Sequence, residues 1–197
     1  MQELSTFILS SIMITLSPGP DIFMVISYSL QKGVKSSIKF IMGLIMGLFI
    51  HSLVLIFGWS NFFSNTETIL IYLKIIGFAY FFCLGIAELY LFVIQSQNKN
   101  KLKSSKNLIK QGIIMNITNP KVGLFFWIFF PNFLFSKTII IPFQYIILCS
   151  IFIFQVFIIF SITAYFSSRA SNILRLEFLK TINGLILIAL AFYILLS

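Results

Sequence analysis

The stretch Ser17-Pro18-Gly19-Pro20-Asp21 interrupts an apolar run that extends from about Leu4 to Leu30. A run of that length is what one membrane-crossing helix needs. Two prolines and a glycine inside it break the i→i−4 ladder, and with no water at membrane depth the freed backbone groups must find partners in the protein. Asp21 follows at once, and an ionisable group at the centre of a span costs roughly 2.5 kcal/mol or more. A broken helix beside a charge at that depth marks a functional site. A second break, Asn119-Pro120-Lys121, comes about 100 residues later.

The chain around these breaks is built for a membrane. Of 197 residues 59% are apolar and 10% charged, with a mean hydropathy of +1.02. Soluble domains carry about 25% charged residues, so the composition excludes one. Apolar runs of spanning length occur at about 4–30, 38–60, 68–95, 111–135, 138–166 and 179–196, which predicts an all-α polytopic protein of six transmembrane helices. The start reads as the first span and not as a cleavable signal, because Glu3 stands where a basic segment would and no small-x-small site follows. Cys83 and Cys149 sit singly in apolar runs and form no metal or redox spacing.

The connecting segments alternate in charge. Lys32, Lys35 and Lys39 flank the first, Lys99, Lys101, Lys103, Lys106 and Lys110 fill the third, and Arg169, Arg175 and Lys180 lie in the fifth. The second and fourth hold only Glu67 and Lys137. The positive-inside rule puts the basic connections in the cytoplasm and both termini outside. The lysine-rich loop is a solvated topogenic determinant, not a nucleic-acid site. The net charge of +9 reflects the same asymmetry and favours anionic lipid on the cytoplasmic side.

An internal repeat relates the two breaks. Pro20-Asp21-Ile22-Phe23-Met24 and Pro120-Lys121-Val122-Gly123-Leu124 each open an apolar half-helix with a proline and a charge. The third helix enters through Leu73-Lys74-Ile75-Ile76-Gly77, the sixth through Leu179-Lys180-Thr181-Ile182-Asn183-Gly184. The single membrane domain 1–197 thus divides into a three-helix repeat over 1–98, a basic loop over 99–110 and a second repeat over 111–197. Three helices per copy invert the second relative to the first. Interrupted segments at matching positions of inverted halves point to a transporter's midplane site.

Proline suits the first turn of a helix, and Ser17 or Gly19 before one half-helix and Asn119 before the other can act as N-caps. Each break would present a helix N-terminus near the bilayer middle, where it favours a carboxylate. Asp21 can meet an ammonium group or carry a proton, and Lys121 can hold a carboxylate or neutralise Asp21. The two breaks are therefore matched to an amino-acid zwitterion, the competing reading being a fixed buried Asp21–Lys121 pair. Asn116 and Asn119, three residues apart, would share a face beside Lys121. The substrate-binding set is then Pro18, Gly19, Pro20, Asp21, Asn116, Asn119, Pro120 and Lys121.

Ser-Pro-Gly-Pro-Asp at 17–21, the Gln31-Lys32-Gly33 turn, Gly43 and Gly47, and Gly112…Asn116…Asn119-Pro120-Lys121 leading into Phe125-Phe126-Trp127…Phe130-Pro131 resemble the LysE/RhtB family of amino-acid exporters. The resemblance covers nearly the whole chain. It implies export of amino acids or close derivatives across the bacterial plasma membrane, driven by the proton motive force. The family often has Asn where this chain has Asp21, so the resemblance leaves the role of the acid open.

His51, about twelve residues into the second span, is a candidate proton relay or a histidine bonded to a neighbouring helix. Glu88, near the cytoplasmic end of the third helix, is a further relay candidate or an interfacial acid. Gln155 is polar at mid-span and a candidate to face the cavity. Gly43-x-x-x-Gly47 permits close helix approach, within the monomer or in a homodimer. A divalent-cation or other ion exporter on a related scaffold would gather carboxylate, Cys or His ligands, and the intramembrane set is only Asp21, Glu88, His51 and two scattered cysteines. An intramembrane enzyme is disfavoured: no zinc-type His pair, Ser-Lys arrangement or cofactor motif is present.

Overall fold

The computed structural model describes residues 2–17, 19–62, 71–72, 75–80, 82–83, 85–87, 107–169, 185, 188–189 and 191–192. Pro18, Lys74, Glu88 and residues 99–106 of the basic loop lie outside the described residues. Every secondary-structure element among the described residues is a helix.

The first apolar run folds as α1 (Gln2–Leu16) and α2 (Pro20–Lys32), inclined at 56°. Pro20 takes the first helical position of α2, as its fixed φ and missing N–H favour. Gly33, at φ 79°, ends α2, and α3 (Val34–Phe62) begins at the next residue. Lys35 and Lys39 therefore lie on the first turns of α3, which starts earlier than the predicted 38. The second broken run comprises α4 (Leu108–Thr118) and α5 (Pro120–Leu124), the halves inclined at 54°. α6 (Ile141–Arg169) is the long helix that follows. α3 and α6 are each apolar and long enough to cross a membrane, and the two bent pairs make up to four spans among the described residues.

The half-helix after Pro120 does not continue as a regular α-helix. α5 widens into a π-helical stretch at Phe125–Phe129 and tightens into a 3-10 turn at Phe130–Phe133. Such an irregularity survives where side-chain packing outweighs poorer backbone geometry. Here Phe125, Phe126, Phe129, Phe130 and Phe133 are all buried. Phe126 stacks on Phe130 at 4.6 Å, Phe7 of α1 meets Phe130 edge-on at 5.1 Å, and Phe152 of α6 lies 5.0 Å from Phe125. Lipid is as apolar as these rings, so close packing and not escape from water holds them together.

Contact between α3 and α4 is closer still. A β-carbon on Gly43 would fall 2.1 Å from the Ile109 carbonyl oxygen, and one on Gly112 2.4 Å from that of Phe40. The two backbones touch, and only glycine fits. One turn on, the β-position of Gly47 lies 2.6 Å from Asn116 Oδ1. The Gly43-x-x-x-Gly47 stripe thus serves packing within the chain.

Hydrogen bonds tie the far end of α2 to α3, α4 and α6. Tyr28 donates its hydroxyl to Gln111 Oε1 at 2.5 Å, Ser29 Oγ donates to the Ala164 carbonyl, and Ser37 Oγ of α3 donates to the Val25 carbonyl at 2.8 Å. The bend before α6 is held by buried Gln144. Its Oε1 accepts from the N–H groups of Phe135 and Ser136, and its Nε2 donates to the carbonyls of Ser136 and Ile139.

Candidate functional site

The two breaks meet. In an unbroken helix the Ser17 carbonyl would accept from the N–H of residue 21. The bend removes that donor, and Lys121 Nζ reaches across from the other break to donate to Ser17 O at 2.7 Å. The ammonium passes close to the first bend, since the β-position of Gly19 lies 3.4 Å from Nζ. From the same break Asn119 Nδ2 donates to Asp21 Oδ2 at 3.0 Å. The second break thus supplies both donors and the first both acceptors.

Asn119 performs a second task with its remaining atom. Its Oδ1 accepts from the Lys121 N–H at 3.0 Å and so caps α5. Its main-chain oxygen accepts from the N–H groups of Val122 and Gly123. The second half-helix therefore begins capped, whereas α2, with Gly19 at its N-cap, has no side-chain cap. Of the two expected N-termini, that of α2 is the one whose N-cap residue has no side chain to cap it.

Pro120 has no N–H to give to the Asn116 carbonyl, four residues back. That oxygen accepts from the Asn119 N–H at 3.1 Å, and His51 Nε2 of α3 stands 3.4 Å away. A carbonyl can only accept, so Nε2 is the donor in this contact. The imidazole is stacked on Phe126 at 5.4 Å. His51 is thus joined to a neighbouring helix, at the carbonyl freed by the second break.

Asp21, Asn116, Asn119 and Lys121 are 9%, 2%, 6% and 8% exposed, and all four line one cavity between the breaks. Its polar part is completed by Thr15, Ser17 and Gly19. Its apolar part comprises Ile14, Ile22, Leu48, Val122 and Phe125, together with Phe152, Val156 and Phe160 of α6. The space open to the centre of a water molecule is about 40 Å³. That holds a few waters and is too small for an amino acid. Two buried acceptors of the lining residues, Asp21 Oδ1 and Asn116 Oδ1, have no hydrogen-bond partner among the described residues. An arrangement with one carboxylate, one ammonium and spare acceptors can bind a group that donates several N–H bonds and carries positive charge.

The structure brings together Gly19, Asp21, Asn116, Asn119 and Lys121 of the predicted set. Pro20 and Pro120 open the two half-helices, and together they border a shallower pocket on the α4 side. Pro18 and Glu88 lie outside the described residues. Gln155 is half-buried on α6 and does not line the cavity. Sequence reasoning missed the Ser17 carbonyl, Thr15 and the Phe152-Val156-Phe160 stripe. The stripe's spacing of four is a signal, but α6 is apolar on every side, so nothing in the sequence tells which face turns inward.

Residues 12–197 match the family described as LysE type translocator. The chain is 31% identical over 144 residues to the membrane protein YrhP of Bacillus subtilis, covering 68% of this chain and 69% of that one. It is 31% identical over 129 residues to a homoserine/homoserine lactone efflux protein of Salmonella typhimurium, covering 65% and 63%. To a leucine efflux protein of Klebsiella pneumoniae it is 25% identical over 131 residues, covering 66% and 62%. The alignments thus span less than two thirds of the two efflux proteins' own length. No solved structure matches the chain. With the match running across both breaks and almost the whole sequence, the chain belongs to the LysE type translocator family.

Proposed function

We propose that this protein is a secondary active exporter of amino acids or close derivatives across the bacterial plasma membrane, coupled to protons and working by alternating access around the cavity between the two breaks. The observation that carries the reading is the buried cavity that pairs the Asp21 carboxylate, one oxygen of it unpartnered, with the Lys121 ammonium. That donor set suits a zwitterion better than a metal ion, which would call for several carboxylate, Cys or His ligands.

In this mechanism Asp21 receives the substrate amine or the proton. Lys121 and the uncapped start of α2 receive the carboxylate, with Lys121 leaving the Ser17 carbonyl as it does so. The halves are two inverted three-helix repeats, both termini are outside, and rocking of one half against the other opens the cavity to each side in turn. The small volume of the cavity supports a narrow state that must widen to load. The names of the Salmonella and Klebsiella relatives support amino-acid efflux.

The test is release of amino acids from cells loaded with dipeptides, with and without an uncoupler, for this chain and its Asp21→Asn variant. Uncoupler-sensitive release of one class, lost in the variant, is expected. Release of none of the panel by correctly inserted protein would overturn the reading.

A further inference from the structure

Resting on the exporter reading, we infer that the cavity selects amino acids with a free primary ammonium and an uncharged, apolar side chain, and that Phe152, Val156 and Phe160 of α6 are the residues that read the side chain.

The ammonium follows from the unpartnered acceptors. Asp21 Oδ2 is committed to Asn119, while Asp21 Oδ1 and Asn116 Oδ1 are buried without a hydrogen bond, and both side chains line the same cavity. Buried acceptors with no partner in the protein favour a ligand able to donate to more than one of them. A primary ammonium has three N–H donors and the charge that Asp21 needs. An N-acylated amino acid offers one neutral N–H, so it satisfies one acceptor and compensates no charge.

The side-chain preference follows from the rest of the lining. Asp21 and Lys121 are the only charged residues among the described lining residues, and the α-ammonium and α-carboxylate occupy both. A further charge on the substrate would face Leu48, Phe125 and the α6 stripe with no counter-charge, which a low-polarity wall penalises heavily. Neutral polar side chains fare little better. The Thr15 hydroxyl gives its one proton to the Ser11 carbonyl at 2.7 Å, which leaves it only as an acceptor. Phe152, Val156 and Phe160 recur every four residues and form a continuous stripe, in which Val156, the smallest member, leaves room for the substrate side chain and the two phenylalanines bound it.

The experiment is release from proteoliposomes preloaded with leucine, lysine, glutamate or N-acetyl-leucine. Leucine is expected to leave at least about tenfold faster than each of the others. In proteoliposomes preloaded with phenylalanine or leucine, the Val156→Ala variant is expected to raise the release of phenylalanine relative to leucine. Lysine, glutamate or N-acetyl-leucine released as fast as leucine would overturn the inference while the exporter reading stood. An unchanged phenylalanine-to-leucine ratio in Val156→Ala would remove the α6 stripe as the selector. If no member of the panel were released, the exporter reading itself would fall, and the inference with it.

Discussion

Lys121 Nζ stands 2.7 Å from the main-chain oxygen of Ser17, so the cation of the second break satisfies the carbonyl that the first break orphans. A buried lysine costs desolvation that a carbonyl alone does not recover, and Asp21 is the other charged group on the same cavity. In Lys121→Met the Ser17 carbonyl loses its donor and Asp21 loses its counter-charge. A destabilisation of about 3–5 kcal/mol is expected, read by thermal unfolding in detergent. The double variant Asp21→Asn, Lys121→Met should recover much of that stability and none of the export. Recovery of export as well would make the pair structural and leave substrate binding to other groups.

Asn119 links the breaks through one end of its carboxamide and caps its own half-helix with the other, which sets an order among its variants. Asn119→Ser keeps a cap for α5 and loses the donor to Asp21. Asn119→Ala loses both, at about 1 kcal/mol for the cap and about 1.5–3 kcal/mol for the hydrogen bond to the carboxylate. Asn119→Asp keeps the cap but sets a second carboxylate where a donor stood 3.0 Å from Asp21. Export is expected to fall in the order Ser, Ala, Asp. An active Asn119→Asp protein would show that the contact to Asp21 is dispensable.

Two glycines should respond to alanine for opposite reasons. At Gly43 the new β-carbon would sit 2.1 Å from a carbonyl oxygen of a facing helix, and neither backbone can give way. Overpacking of this kind costs about 3 kcal/mol or more, so Gly43→Ala is expected to fold poorly or not insert. At Gly33 nothing lies within 4 Å, but φ is 79°, where side chains are rarely found. With ψ at 165° this is a corner of positive-φ space that is essentially glycine's alone, so Gly33→Ala should cost about 1–3 kcal/mol, and Gly33→Asn no less, because the left-handed conformation that Asn tolerates lies at a much smaller ψ. Protein yield and melting temperature of the three variants check the ranking.

Much of this was legible in the sequence because punctuation is local. A proline lacking its N–H fixes where a half-helix can start, and α2 and α5 do begin at Pro20 and Pro120. Asn119 reads as a cap for the same reason. Lys121 and Asp21 could be placed at one site only by reading the two breaks as matching positions of a repeat. The contact between Gly43 and Gly112 was readable as close approach, though not its partner helix. The π-helical turn at Phe125–Phe129 was not legible, since it depends on rings from α1 and α6 that pack around it. Nor was the Phe152-Val156-Phe160 stripe, because a helix apolar all round carries no mark of its inner face.

His51 occupies the point where the fold and the transport cycle can be separated. Its Nε2 is 3.4 Å from the Asn116 carbonyl, the acceptor that Pro120 cannot serve, and its ring is stacked on Phe126. Asn119 N–H already bonds that carbonyl at 3.1 Å, so the imidazole adds a second, longer contact. If this contact is its whole task, another donor of similar reach should replace it. His51→Gln is expected to keep both the melting temperature and the export rate. His51→Phe keeps the stacking surface but not the donor, and should lose about 1 kcal/mol. A stable, inserted His51→Gln protein whose export no longer responds to the proton gradient would instead assign the ring to proton transfer, because glutamine can donate to the carbonyl but cannot carry a proton across the helix contact.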